Sequence, residues 1–410
     1  MGYIERDLGE KIRRYLSFKE MLAIIGPRQA GKTTLINKCL DEIKEKKKIN
    51  RISFEDIRVL REFEEDIESF ILEYVEGYDI LFIDEVQYSK NSGQKLKYIY
   101  DSKPNLKVII SGSSATELSL QSIKYLVGRI FVFELQTFSF NEFLRYRDKR
   151  LYSVYKKGEF KSVVLEKLNS YVFEYMRFGG YPRVILMDDV EDKKNILNNI
   201  FNTYMLKEIG EILQFKESHY LDKLLQVLAS QIGGIINYND LTAKTGIKYK
   251  DLKNDLSILE KTFITSYALN FHTNKQSELV KSPKIYFYDF GMRNVILNNF
   301  ELTNLSDLGG LYENFIYMEL LRCGDDVVKF WRTKTKAEVD LIVEKSGKFI
   351  PIEVKSNINS NVVEKSFRSF IKRYNPEKGY ILSLDYQNER IVGDCDISFL
   401  PFVKFLSSLI

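Results

Sequence analysis

The chain has 410 residues, 44% hydrophobic and 29% charged. That composition is globular and excludes a disordered polymer, and at roughly 150 residues per domain the length calls for two or three domains. Lys and Arg number 61 against 57 Asp and Glu, a net charge of only +4, so any basic footprint for nucleic acid is local.

Three Cys (Cys39, Cys323, Cys395) lie far apart with no C-x-x-C pair, and there are only two His, His219 and His272. This excludes a disulfide framework and a thiolate zinc site, and all but excludes a His-rich site. Any metal should be a hard cation held by oxygen, such as magnesium. The start MGYIERDLGEKIRR is charged and lacks the apolar core of a signal peptide, and Arg6 breaks the myristoylation pattern. No apolar run approaches the roughly 18 residues of a membrane span. The expectation is a soluble cytoplasmic protein without a membrane partner.

In chain order, the β-rich runs MLAIIG (21–26), INRISFED (49–56), ILFIDEVQ (80–87), LKVIISGSS (106–114) and IFVFELQTFS (130–139) alternate with polar helical stretches. Near-continuous apolar strands separated by helices predict a parallel sheet covered on both faces. From about Phe140 to Leu228, FNEFLRYRD, VVLEKLNSYVFEYM and NILNNIFNTYMLKEIGEI carry helical periodicity, broken by Gly-Gly-Tyr-Pro at 179–182. The runs LLQVLASQIG, YNDLTAKTG and YKDLKNDLSILEK follow, then FITSYAL and KIYFYDF. Three helices before a hairpin predict a winged helix-turn-helix. From Gly310 onward, LYENFIYMELLR, three β runs, VVEKSFRSFIKRY and GYILSL predict an α+β domain of about 100 residues.

Gly26-Pro27-Arg28-Gln29-Ala30-Gly31-Lys32-Thr33 matches G-x-x-x-x-G-K-[ST] between a strand and a helix. Its backbone N–H groups, with Thr34 beside them, are the candidate cradle for a triphosphate. Lys32 would reach the β- and γ-phosphates, and Thr33 would hold magnesium. ILFIDEVQ ends in Asp84-Glu85, two acids at the end of a buried strand, where a cation or hydrogen bonds must compensate them. Asp84 would be the second magnesium group, the alternative being a strand-end N-cap, and Glu85 would polarise the attacking water. Ser113 or Ser114, ending the next apolar strand, is the candidate sensor of the γ-phosphate; the alternative is a turn or cap residue. Arg129 is a candidate arginine finger, in cis or in trans; the alternative is a surface ion pair.

With GPRQAGKTT, FIDEVQ, SGSSA and GRIFVFEL, the chain resembles the AAA-type ATPases of archaea and bacteria that carry a C-terminal domain of unknown function, a group related to AAA+ and STAND ATPases. The resemblance extends to the start Tyr3-Ile4-Glu5-Arg6-Asp7-Leu8 and to the Gly-Gly-Tyr-Pro segment, and covers nearly the whole chain.

Near the C-terminus, Asp340, Glu353 and Lys355 form D-x12-E-x-K. A hairpin through Ser346-Gly347 that pairs Lys345 with Lys348 sets Asp340 directly opposite Glu353, Cβ atoms about 4.5–5.5 Å apart, with Lys355 on the same face. Like charges so placed are destabilising, which points to a shared divalent cation, with Lys355 orienting or deprotonating water. The pattern resembles the PD-(D/E)XK nuclease superfamily, which implies Glu313 as the acid from the opening helix. Glu338-Val339-Asp340 departs from the superfamily's Pro-Asp pair, and an alternating strand pair puts charges on a solvent face anyway.

The stretch 231–289 has 8 Lys against 6 Asp and Glu, a faint basic bias. Lys248, Lys250 and Lys253 lie on or beside one side of its third helix, where they would contact phosphates or form a solvated face in a protein-binding module.

The fold class expected is α/β: a P-loop NTPase parallel sheet (1–140), a helical segment (141–223), a winged helix-turn-helix (224–305) and an α+β nuclease-like domain (306–410). The function expected is Mg²⁺-dependent ATP hydrolysis coupled to a DNA-binding and DNA-cleaving C-terminal region. The alternative is a STAND-like switch that binds DNA or a protein partner and cleaves nothing. A small-molecule kinase is disfavoured by Asp84-Glu85, and a trans role for Arg129 implies a homo-oligomer.

Overall fold

The computed structural model describes residues 3–113, 125–213, 218–272, 278, 281–302, 305–324, 327–345 and 347–409. Ser114 lies outside them. The first five apolar runs form one parallel sheet of β1 (Met21–Gly26), β2 (Ile49–Ser53), β3 (Ile80–Asp84), β4 (Lys107–Ser113) and β5 (Ile130–Glu134). Their order is β2-β3-β4-β1-β5, so β4 separates the phosphate-loop strand from the Asp-Glu strand. Side-chain alternation divides the sheet between two cores. Leu22 and Ile24 pack with Ile12, Leu35 and Ile36 of the helices Leu8–Tyr15 and Lys32–Asp41. Met21 and Ala23 join Val59, Phe63, Leu96 and Ile99 on the other face. The α/β architecture is as the sequence pattern requires.

The helices Phe140–Arg147, Lys149–Tyr155, Ser162–Phe178 and Val190–Ile200 follow. The first opens on a capping box between Ser139 and Glu142. Ser218–Ser230, Tyr238–Thr245 and Tyr249–Lys261 come next, then an antiparallel pair, β6 (Thr265–Ala268) and β7 (Lys284–Phe287). Asn237 caps the second of these helices, and Gly246, left-handed at φ 78°, ends it.

The last part begins with the long helix Leu305–Cys323. Its six-stranded sheet runs β12-β13-β11-β10-β9-β8, made of β8 (Val327–Arg332), β9 (Glu338–Lys345), β10 (Lys348–Val354), β11 (Lys378–Ser383), β12 (Asn388–Val392) and β13 (Cys395–Pro401). The helix Lys365–Tyr374 covers one face, and Phe402–Ser407 ends the chain's described structure. Strands β12 and β13 and that closing helix lie beyond the elements read from the sequence. The β9–β10 register pairs Lys345 with Lys348 and continues to Leu341 opposite Ile352, as the hairpin argument requires.

One apolar core runs without a break from Ile4 and Phe138 through the helical segment and the three-helix module to Leu406. The modules after the first sheet are therefore packed as one body. Among the described residues, no helix is long and apolar enough to cross a membrane.

Candidate functional site

The phosphate loop leaves β1 at Gly26, where a Cβ would stand 2.0 Å from the Leu135 carbonyl oxygen, so only glycine fits against the neighbouring chain. Gly31 caps the following helix with φ 92°, a left-handed conformation that glycine adopts without strain. Lys32 is buried, and its Nζ donates to the Gly26 and Pro27 carbonyls, both at 3.0 Å. Burial pushes its ammonium down to about 8, against the pull of Glu85 and Asp84. The Arg28 side chain points outward to Glu55, 3.9 Å away, and Gln29 takes a positive φ of 62°. Ala30 is buried, and its carbonyl accepts from Arg6 at 2.9 Å.

Thr33 Oγ1 donates to Asp84 Oδ2 at 2.7 Å, joining the start of the loop's helix to the end of β3. The other oxygen, Oδ1, accepts from Ser111 Oγ and from the Glu85 backbone N–H. A hydroxyl and a carboxylate in contact, beside a loop of backbone donors, are the donor set a hard cation with phosphate oxygens demands. The residues present therefore fit Mg²⁺, with Thr33 and Asp84 to hold it. Glu85 has left-handed backbone (φ 54°), a strained state of the kind concentrated at functional sites. Its carboxylate accepts from Gln87 Nε2.

Ser113 ends β4 directly beside Gly26 and is buried. It is thus at the loop, but the hydroxyl bonded to Asp84 belongs to Ser111. Neither Ser111 nor Gln87 was singled out in the sequence. The structural register explains Ser111: β3 and β4 set Ile83 beside Ile110, so the next pair is Asp84 with Ser111. Arg129 is not brought to this site. Its carbonyl accepts from Met21 N–H, at the far end of β1, and its guanidinium pairs with Asp101 at 3.0 Å.

Two further segments close on the loop. Arg6, 5% exposed, donates to Glu142 (3.0 Å), to the Ala30 carbonyl and to the Gln136 carbonyl (2.7 Å), and lies 4.1 Å from the Phe138 ring centroid. The Gly-Gly-Tyr-Pro segment brings Pro182 against Gly31. Between them is a cavity of about 290 Å³, lined by Tyr3, Ile4, Gly31, Thr34, Phe138, Pro182 and Leu186 among others.

The C-terminal carboxylates form a second cluster. Asp340 Oδ2 accepts from the Val354 N–H at 2.9 Å, and Lys355 bridges Glu353 and Glu364, both at 2.9 Å. Burial, then the mutual repulsion of Asp340 and Glu353, raises the Glu353 carboxyl. Glu313 approaches only through a residue the sequence did not flag. Lys284 Nζ lies 2.8 Å from Glu313, 2.8 Å from Glu338 and 3.8 Å from Asp340. Burial pushes the Glu313 carboxyl up to about 7, opposed by Lys284. Of the expected metal set, Glu313 and Asp340 thus meet at Lys284, while Glu353 pairs with Lys355. Among the described residues, no three His, Cys, Asp or Glu side chains are placed to hold one ion.

Three family profiles match the chain: an AAA domain over residues 18–144, a domain of unknown function (DUF8612) over 169–303 and another (DUF4143) over 308–404. Residues 18–144 have the fold of an AAA-type P-loop ATPase. The chain is 26% identical over 399 residues to an uncharacterized protein of Haemophilus influenzae, spanning 93% of this chain and 94% of that one. It is 26% identical over 408 residues to an uncharacterized protein of Methanocaldococcus jannaschii, spanning 97% and 86%. Among solved structures it is similar to a Walker-type ATPase of Pyrococcus abyssi, at 17% identity and TM-score 0.44, over 72% of this chain and 96% of that one. It is also similar to AMPPCP-bound DnaA from Aquifex aeolicus, at 16% identity and TM-score 0.32, over 64% and 89%.

Proposed function

We propose that the chain binds ATP with Mg²⁺ at the AAA domain, hydrolyses it, and passes its nucleotide state to a DNA-binding surface on the three-helix module. The observation that carries the reading is the Thr33–Asp84 hydrogen bond of 2.7 Å beside a buried Lys32. In this reading Lys32 leaves the loop's own carbonyls for the β- and γ-phosphates. Glu85, held by Gln87, orients the attacking water. Ser111 fixes the Asp84 carboxylate, and Ser113 faces the γ-phosphate from the end of β4. Bound Mg²⁺ supplies neutralisation of phosphate charge. The mostly apolar cavity between Tyr3 and Pro182 takes the base.

The module would act as a winged helix-turn-helix through the helix Tyr249–Lys261. Lys248, Lys250 and Lys253 are exposed there, and the Lys253 ammonium lies 5.1 Å from the Tyr249 ring and 5.6 Å from the Tyr238 ring. Exposed basic and aromatic groups in one patch suit phosphates and unpaired bases. For the C-terminal domain, the ammonium among its carboxylates favours the STAND-like alternative, a switch that binds and does not cleave.

ATP turnover measured with and without linear, nicked and branched DNA tests both halves. Lys32→Ala should abolish turnover, and turnover retained in that variant would overturn the ATPase assignment. Wild-type turnover and DNA affinity that ignore one another would overturn the coupling.

A further inference from the structure

Lys284 opens β7 and comes from the module before the C-terminal domain. It is 2% exposed, and its partners Glu313, Glu338 and Asp340 come from the helix Leu305–Cys323 and from β9. The neighbouring Tyr286 hydroxyl donates to the same Glu313 Oε1 at 2.6 Å. Burial works against the Lys284 charge, but the surrounding carboxylates outweigh it and hold the ammonium protonated. A buried charge persists only when paired in this way.

The remaining oxygens are mostly spent. Asp340 Oδ2 takes the Val354 N–H, Glu353 Oε1 takes Lys355, and Glu338 Oε2 takes Arg332 at 3.1 Å. Glu353 Oε2 is buried without a hydrogen-bond partner. A magnesium ion needs several oxygens at roughly 2.0–2.1 Å. It cannot share Glu313 Oε1 and the neighbouring carboxylates with an Nζ already at 2.8 Å.

We infer that the Lys284 ammonium is the resident cation of the C-terminal carboxylate cluster, standing where a divalent ion would have to bind, so that the docked domain is a coupling module and not a nuclease. This rests on reading the β9–β10 hairpin as nuclease-like. Withdrawal of β7 would uncover the carboxylates, and Lys284 is therefore also the latch between the two modules.

The test counts bound Mn²⁺ by electron paramagnetic resonance on the full chain, with Asp84→Asn present throughout to remove the phosphate-loop site. At about 1 mM Mn²⁺, this chain should bind none, while adding Lys284→Ala should create one site per chain that Asp340→Asn removes again. Thermal unfolding of the Lys284→Ala chain should shift upward with Mn²⁺, and that of its Lys284 parent should not. A site already present with Lys284 intact, and lost with Asp340→Asn, overturns the inference. A folded Lys284→Ala chain that binds no Mn²⁺ also overturns it. Should Lys284→Ala fail to fold, the comparison of Asp84→Asn with and without Asp340→Asn decides alone, since it leaves Lys284 in place. DNA cleavage is read separately. Mn²⁺ gained without cleavage counts against the nuclease-like reading and leaves the cation inference standing.

Discussion

Arg6→Ala tests how the AAA domain is held together around the phosphate loop. Arg6 makes one charge-assisted hydrogen bond to Glu142 and two to carbonyls, at 2.7–3.0 Å, with a cation–π contact besides. Each bond to a charged group contributes about 1.5–3 kcal/mol and the ring contact about 0.5–2. These do not simply add, because burying the guanidinium cancels part of the gain. The decisive loss is at Glu142, whose side chain is 6% exposed. It would lose the Arg6 counter-ion and keep the Asp7 and Ser139 backbone N–H groups, so the cost should fall at or below the low end of the about 3–5 kcal/mol of a broken buried pair. We expect Arg6→Ala to lower stability by about 3 kcal/mol in urea unfolding, with loss of amide protection across residues 26–34. Because Arg6 touches the Ala30 carbonyl and no reacting group, KM for ATP should rise more than kcat falls. Pairing the change with Glu142→Gln removes the stranded charge. The double variant should therefore lose less than the two single losses combined, by at least about 1 kcal/mol. A loss under about 1 kcal/mol for Arg6→Ala, or strict additivity, would refute the reasoning.

Three other outcomes follow from the geometry. Lys32, held down at about 8 by burial, must recover its proton beside a polyanion, so ATP binding at pH 8 should take up about half a proton, falling toward zero by pH 6.5. Calorimetry in buffers of different ionisation enthalpy measures this, and equal heats at pH 8 would refute it. In the helix Tyr249–Lys261, burial and then Asp251 raise the Asp255 carboxyl to about 6. Its folded value lies above its unfolded one, so the stability it contributes is present below about pH 4 and lost as pH rises to 6; Asp255→Asn should gain at most about 3 kcal/mol at pH 7.5 and little at pH 4. An Asn variant less stable than wild type at pH 7.5 contradicts this. Arg129→Ala should leave turnover of the dilute chain within about twofold, since Arg129 pairs with Asp101 at the opposite end of the strands from the phosphate loop; a tenfold loss that deepens with protein concentration would instead place it at another chain's nucleotide.

The parts of this molecule written in local pattern were legible. The phosphate loop announces itself because backbone donors, a glycine turn and a lysine must be contiguous to wrap a phosphate. The Asp340–Glu353 face was legible because a tight turn dictates register, and register alternates faces with period two. The cis role for Arg129 could have been set aside by the same kind of rule. It precedes a strand of a parallel sheet, and in such sheets ligands bind at the carboxyl ends. Ser111 was missed for a different reason: choosing among Ser111, Ser113 and Ser114 needs the pairing of β3 with β4, which are separated by a helix, so no turn dictates their register. Lys284 was out of reach altogether. Nothing in its local sequence predicts that its ammonium enters a cluster built by another domain's helix and strand, because that encounter is decided by packing of the shared core.

That shared core offers a physical route for the coupling proposed above. Gln136, just past β5, is gripped twice: its carbonyl by Arg6, its side-chain oxygen by Arg322 at 3.2 Å. Arg6 also holds the phosphate loop at Ala30, and Arg322 also binds Glu319, Tyr175 and the Tyr288 carbonyl. A continuous run of hydrogen bonds thus joins the loop to the end of the helix Leu305–Cys323. Glu313 lies nine residues back along that helix, about 14 Å at 1.5 Å per residue. Contiguity alone does not make a signal; coupling needs an element with two discrete arrangements. In the proposed reading Lys284 would supply it, its ammonium either docked among Glu313, Glu338 and Asp340 as here or withdrawn with β7. A shift at Gln136 transmitted by a rigid helix would act on Glu313, the partner Lys284 meets at hydrogen-bond distance, and so on the state of the latch.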